Sequence, residues 1–456
     1  MVFSGPVFIL FFLPAVILAY YSVPKRGRNV VLFFSSLIFY GWGEPKYILL
    51  MLVTVTVGYL SGVLMARTED ERARKRILIL TTIFDLGVLG FFKYAGFFAE
   101  NLKALGLGLP AVTIALPLGI SFYTFQTLSY TIDVYRRDVE YQPRFLPFAT
   151  YVTMFPQLVA GPIVRYHDIA IEMESRTESL ALFGEGVEDF LFGFAKKMLL
   201  ANTIGAFWNS VNAMANPSTF VLWIGILAFS LQIYFDFSGY SDMAIGLGKM
   251  FGFHFMKNFD YPYLSRSVTE FWRRWHISLG TWFREYVYIP LGGNRVGAGR
   301  FAVNLFVVWF LTGLWHGASW NFALWGLYYG VILYLEKRFF KDFLDRHRIF
   351  GRIYTLFLVV VGWGIFERTD LKSLGAFFAT LFSRVPTAPG DLFRVRNVLA
   401  FLVIGAVFAT DGPRRLYERA KEKWAPTGLL VPAALFLLSM IFLVNETYNP
   451  FLYFRF

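Results

Sequence analysis

Apolar runs of 14 to 22 residues, separated by short polar loops, recur along the whole chain. A membrane-spanning helix needs about 20 such residues, with a range of about 17–25. Twelve segments approach that length: 5–21, 30–43, 47–65, 77–98, 115–134, 198–214, 219–238, 301–318, 320–336, 353–366, 397–410 and 427–444. The shortest read as tilted neighbours or partial spans. Residues Met1 to Pro6 carry no basic charge and no A-x-A site follows, so 5–21 is expected to stay as an uncleaved helix. The two longest stretches between candidate spans, 138–197 and 239–300, mix aromatics with charges. That mixture suits interfacial or re-entrant helices. The expected fold is all-α and polytopic, with about 11–12 transmembrane helices.

The basic residues orient this pattern. Loop 22–29 holds Lys25, Arg26 and Arg28; loop 66–76 holds Arg67, Arg72, Arg74, Lys75 and Arg76; loop 44–46 is nearly neutral. Lys and Arg concentrate in cytoplasmic loops, so 22–29 and 66–76 are predicted inside and the N-terminus outside. The clusters at 337–352 and 414–423 then also fall inside, and the tail from Asn445 outside.

Composition sharpens the class. The 456 residues are 56% hydrophobic, 20% aromatic and 16% charged, far from the roughly 25% charged of a soluble domain. Disorder is excluded by the same numbers. The net charge of +12 is explained by inside-positive loops and anionic headgroups rather than by nucleic acid. There is no cysteine, which removes disulfides, thiolate metal sites and a thiol nucleophile together. Imidazole chemistry must use one of five residues: His167, His254, His276, His316 or His347.

Polar inclusions in the apolar pattern mark the candidate chemistry. Phe271–Gly280 (FWRRWHISLG) surrounds His276 with aromatics and arginines, and Lys257, Arg266, Arg273, Arg274, Arg284, Arg295 and Arg300 lie nearby. As one helix over 266–288, it would align Trp272, Trp275, Leu279 and Trp282 on one face. Such a helix reads either as an interfacial element meeting anionic lipid or as a basic funnel for a phosphate-bearing substrate. His316 ends a strongly apolar run beside Gly317, Ala318 and Ser319. An ionisable residue at that depth is costly and usually functional, and a neutral imidazole is a natural general base. Asp236 and Asp242 interrupt another span, where Ser238, Gly239 and Ser241 suggest a broken helix. Gln126, Ser129, Tyr130 and Asp133 form a stripe suited to interhelical hydrogen bonding. His167, next to Asp168, reads as a surface residue.

Six blocks carry a family resemblance: LPLGISFYTFQTLSYTIDVYR at 116–136, MFPQLVAGPIVR at 154–165, QIYFDFSGYSDMAIG at 232–246, FWRRWHISLGTWFREYVYIPLGGNR at 271–295, LTGLWHGASWNFALWG at 311–326 and PFLYFRF at 450–456. In combination and order, they make the chain resemble the membrane-bound O-acyltransferase family, in the branch that acetylates bacterial polysaccharides such as alginate. The resemblance implies a ring of helices around a thinned centre. It implies one integral-membrane domain over 1–456, with N-terminal helices 1–134, a re-entrant or interfacial stretch 138–197, a catalytic core 198–345 and C-terminal helices 346–456. It implies transfer of an acetyl group from cytoplasmic acetyl-CoA to a hydroxyl at the outer face of a bacterial cytoplasmic membrane. No bound cofactor and no metal are expected.

The resemblance also assigns roles. His316 matches the family's invariant histidine, and His276 its second histidine. His276 would orient the thioester, donate to the oxyanion or line the tunnel. Arg266, Arg273, Arg274 and Arg284, with Trp275, Trp315 and Asn321, are the expected substrate-binding residues; Asp236, Ser238 and Gln126 the structural or tunnel residues. The acceptor would be an extracytoplasmic acetyltransferase protein or a polysaccharide. The alternatives are D-alanyl transfer to a teichoic acid and, outside enzymes, a polysaccharide or lipid transporter.

Overall fold

The computed structural model describes residues 1–107, 110, 114–445 and 451–452, and these contain helices but no strand. The chain divides into two compact units, Met1–Phe190 with Asp242–Met256, and Leu191–Ser241 with Lys257 onward. The first unit holds α1 (Leu13–Ser22), α2 (Arg28–Gly41), α3 (Ile48–Ala66), α4 (Glu71–Ala104), α5 (Ile120–Arg136), α6 (Phe145–Thr153), α7 (Phe155–Leu158) and α8 (Tyr166–Glu174). Small residues let its helices approach closely, as membrane helix interfaces favour. A Cβ on Gly58 of α3 would lie 2.3 Å from Thr127 of α5, and one on Gly62 would lie 2.2 Å from the Tyr130 hydroxyl. Within the polar stripe of α5, the Tyr130 hydroxyl accepts from the Gln142 N–H at 3.0 Å and the Ser129 hydroxyl donates back to the Gln126 carbonyl at 2.8 Å, while the Gln126 side-chain amide meets no partner among the described residues. Buried Arg74 of α4 donates to the last carbonyls of α3 and α5, Met65 at 2.6 Å and Val134 at 2.9 Å. A cation there complements the negative helix ends.

Helix α9 (Leu180–Ala195) leads into the second unit, which contains α10 (Asn202–Asn212) and most of α11 (Thr219–Met250). There follow α12 (Val268–Arg274), α13 (Ile277–Phe283), α14 (Ala298–His316), α15 (Trp320–Leu335), α16 (Lys341–Arg346) and α17 (Arg348–Glu367). The chain then forms α18 (Leu371–Leu381), α19 (Pro389–Phe408), α20 (Gly412–Lys423) and α21 (Thr427–Asn445).

Seven helical runs among the described residues have the length and composition to cross a membrane, or eight if α19 and α20, bent by 70°, count as one span. That is fewer than the 11–12 expected. Four expected segments are too short. Helix α2 has 14 residues, so it is ~21 Å long against a core of ~30 Å. Helices α5 and α15 have 17 and 16 residues, and the first apolar helix runs only over Phe8–Ser22. Two further expectations change. Helix α11 continues through Ser238, Gly239 and Ser241 without a break. Gly239 serves close packing instead, because a Cβ there would lie 2.7 Å from the Gly193 carbonyl oxygen. The single helix expected over 266–288 is two short helices, α12 and α13, parted at Trp275–His276.

Candidate functional site

The two buried histidines both belong to the second unit. The other three are exposed; His167 and His254 sit beside Asp168 and Glu172, at 3.2 and 2.6 Å. His316 is the last residue of α14 and is 5% exposed. Its position is fixed by glycines where α14 crosses α15. A Cβ on Gly313 would lie 2.2 Å from the Phe322 carbonyl oxygen, and one on Gly326 would lie 2.3 Å from that of Trp309. Its Nδ1 stands 2.7 Å from the Thr312 carbonyl oxygen. A carbonyl only accepts, so Nδ1 carries the proton and Nε2 the lone pair. The backbone therefore selects the tautomer a general base needs.

His276 occupies the break between α12 and α13 with φ +44°, in the left-handed region rarely used by side-chain-bearing residues. Such a conformation persists only when its surroundings hold it. Asn258 does so. Its carbonyl accepts from the Ile277 N–H at 3.0 Å, and its Oδ1 accepts from the Ser278 N–H and hydroxyl at 3.2 and 2.9 Å. Its Nδ2 in turn donates to Ser241 of α11 at 3.0 Å. The His276 ring lies edge-on to Phe237 at 4.6 Å and 5.8 Å from Trp315. Burial, and then the nearby His316, hold its imidazole well below the usual pKa of 6.5. His276 is therefore neutral at neutral pH.

Aromatic rings enclose His316. Trp325, Trp315 and Phe366 have ring centres 4.9, 5.1 and 5.4 Å from the imidazole. Trp275 and Trp363 continue the cluster, 4.7 Å apart.

The expected substrate-binding residues divide into two groups. Arg274 is held by Glu270 at 2.8 Å and Asp260 at 3.7 Å, and Arg284 by Glu285 at 2.9 Å. Arg273 is exposed at the end of α12, and Lys337 feels its charge. The Arg266 backbone N–H donates to Glu270 at 2.9 Å. Asn321 is buried with its amide donating to the Ile365 and Phe366 carbonyls at 3.2 and 2.9 Å, which ties α15 to the end of α17. The site's basic end is anchored by Glu336. Its carboxylate accepts from the Val268 and Thr269 N–H groups at 2.7 and 2.8 Å, at the start of α12.

Asp236 is paired with buried Lys197 and also accepts from the Leu452 N–H at 2.7 Å. The C-terminal residues Phe451 and Leu452 are thereby buried, with Phe451 stacked on Tyr240 at 4.8 Å and near Phe237 at 5.6 Å. The rest of the 450–456 block lies outside the described residues. Ser238 is buried on the same helix; Gln126 is buried in the first unit. Sequence reasoning missed Lys197, Asn258 and Trp325. Lys197 carried a readable signal, a lysine beside an apolar run, and Trp325 lies in the 311–326 block; Asn258 carried none.

The profile of the family described as membrane-bound O-acyltransferase matches residues 121–363. A probable alginate O-acetylase of Pseudomonas putida is 39% identical over the full length of both chains. A peptidoglycan O-acetyltransferase of Helicobacter pylori is 30% identical over 100% of this chain and 98% of that protein. A teichoic acid D-alanyltransferase of Streptococcus thermophilus is 29% identical over 49% of this chain and 57% of that protein.

Proposed function

We propose, from the premise that this chain belongs to the membrane-bound O-acyltransferase family, that it moves an acetyl group from acetyl-CoA to a hydroxyl of the polysaccharide O-acetylation pathway. It is a multi-pass membrane protein and an O-acyltransferase. Relatives that act on alginate and on peptidoglycan match the whole chain, whereas the D-alanyltransferases match about half, which favours acetyl over D-alanyl transfer.

The observation that carries the mechanism is the buried His316 whose Nδ1–H is committed to Thr312. Its Nε2 takes the proton of the acceptor hydroxyl as the oxygen attacks the thioester carbonyl. The coenzyme A phosphates meet the exposed side chains of Arg273 and Lys337, together with Arg266. His276, held neutral, orients the thioester. The basic loop 66–76 supports a cytoplasmic donor face in a bacterial inner membrane. Arg300, near the start of α14, and His316 are sixteen residues apart, which is ~24 Å of helix. A thioester on a long pantetheine arm reaches that depth from inside, and the acceptor, an extracytoplasmic protein or glycan, reaches it from outside.

The test is reconstitution in vesicles with the cytoplasmic face outward and labelled acetyl-CoA added outside. Label should reach an acceptor trapped within. Transfer only to acceptor on the donor's side would overturn the sidedness, and no turnover of acetyl-CoA would overturn the activity.

A further inference from the structure

Three hydrogen-bond donors of the second unit are buried and meet no acceptor among the described residues: the Trp272 and Trp325 indole N–H groups and the Tyr329 hydroxyl. Their rings form one cluster, with Trp272 5.3 Å from Trp325 and 4.8 Å from Tyr329, and Trp325 5.1 Å from Tyr329. Trp325 and Tyr329 are 0% exposed. Leaving a buried donor unmet costs ~1–3 kcal/mol, so such groups are rare and need a reason. Here three occur in one ring cluster, and one of its members, Trp325, packs against the proposed base. An indole N–H can only donate. What completes this cluster is therefore an acceptor.

Trp325 is the member packed on His316, with ring centres 4.9 Å apart and planes at 63°. It stands on α15, which the Gly313–Gly326 contact locks to α14. Acyl transfer requires a donor close to the base, aimed at the oxygen on which negative charge develops. We propose that Trp325 is a catalytic residue whose indole N–H holds the carbonyl oxygen of the acetyl thioester and stabilises the oxyanion formed from it. This rests on the acyl-transfer reading. In the step, the acceptor oxygen forms a bond to the carbonyl carbon while its proton passes to Nε2 of His316. The carbonyl π pair moves onto oxygen, where the Trp325 N–H meets it. Collapse restores the C=O bond and breaks the C–S bond. The thiolate of coenzyme A takes the proton back from His316, leaving an ester, a free thiol and neutral histidine.

The experiment uses the full chain in detergent and compares wild type with His316→Ala, Trp325→Phe and a chain carrying 3-benzothienylalanine at position 325. The last replaces N–H by sulfur in a ring of nearly the same shape. Both changes at 325 should lower kcat by ~10²–10³ while KM for acetyl-CoA stays within about twofold. The thermal midpoint should hold or rise, because an unmet buried donor has been removed. The thioester C=O stretch of bound ¹³C-labelled acetyl-CoA, read in the His316→Ala background, should move to higher frequency when the N–H is removed. If Trp325→Phe does not fold, the benzothienyl chain decides. Full activity of that chain, or a kcat loss accompanied by a lower thermal midpoint, overturns the assignment. Wild-type turnover abolished by His316→Ala, with the 325 variants unaffected, overturns only this proposal. A wild type inert toward acetyl-CoA overturns the underlying reading as well.

Discussion

Two buried polar centres of the second unit, around Asp236 and around His316, are built on opposite principles. Around Asp236 the charges answer one another: Lys197 pairs with one carboxylate oxygen and the Leu452 N–H donates to the other. Around His316, whose Nδ1 faces the Thr312 carbonyl, the indole N–H groups of Trp272 and Trp325 meet no acceptor among the described residues. A saturated centre fixes a conformation. A centre with hydrogen-bonding capacity in reserve can hold a reacting group. The same contrast sorts the arginines, with Arg274 closed off by Glu270 and Asp260 while Arg273 faces outward.

Substitution at the two centres should therefore fail in different ways. His316→Ala is expected to lower acetyl transfer by ~10²–10⁴, the usual worth of a general base, with insertion and thermal midpoint retained. Turnover above half of wild type would remove His316 from the mechanism.

Lys197→Met should do the reverse. Removing one partner of a buried ion pair costs about 3–5 kcal/mol because the other charge stays buried. The expected result is a large fall in thermal midpoint and in folded yield. The Lys197→Met/Asp236→Leu double variant should recover part of that loss, since no charge is then stranded. A double variant no more stable than the single one would show that the pair is not the unit holding Leu452.

Much of this contrast is legible in the amino-acid sequence. The buried histidines, the basic stretch after Lys257 and the polytopic class follow from residue types and apolar spacing. The saturation of each centre is not legible there, because it depends on long-range contacts. Lys197 and Asp236 are 39 residues apart, and Leu452 lies 216 residues from Asp236. The helix expected over 266–288 failed for a similar reason. Its local pattern is helical, but Asn258 binds the backbone after His276 and holds a break. Span counting failed because apolar length is a property of composition, whereas helix length is set where turns such as Gly119, at φ +74°, begin or end the element.

Arg273→Glu sharpens the comparison at the basic end. An exposed charge supplies ground-state attraction to phosphates, so KM for acetyl-CoA should rise several-fold with kcat little changed. The rise should shrink as salt is added, because exposed charges are screened. Arg274→Glu should instead disturb the fold, since Arg274 is bound to Asp260 and Glu270. Equal effects of both changes on KM alone would erase the distinction drawn between them.

The smallest effect concerns His276, which lies between the centres, edge-on to Phe237 and near Trp315. Folding lowers its pKa from the ordinary 6.5, first through burial and then through His316. Between the lowered value and 6.5 the unfolded chain binds a proton that the folded chain refuses. The stabilising contribution is thus intact above pH 6.5 and is lost as pH falls below it, by at most about 1.4 kcal/mol per unit. Thermal midpoints measured between neutral and mildly acid pH should show this slope in wild type. His276→Asn should flatten it while keeping the fold, because asparagine tolerates the left-handed backbone and does not titrate there. His276→Val should lower the midpoint at every pH, since a β-branched residue resists φ +44°. An unchanged slope in His276→Asn would assign the acid sensitivity to other groups.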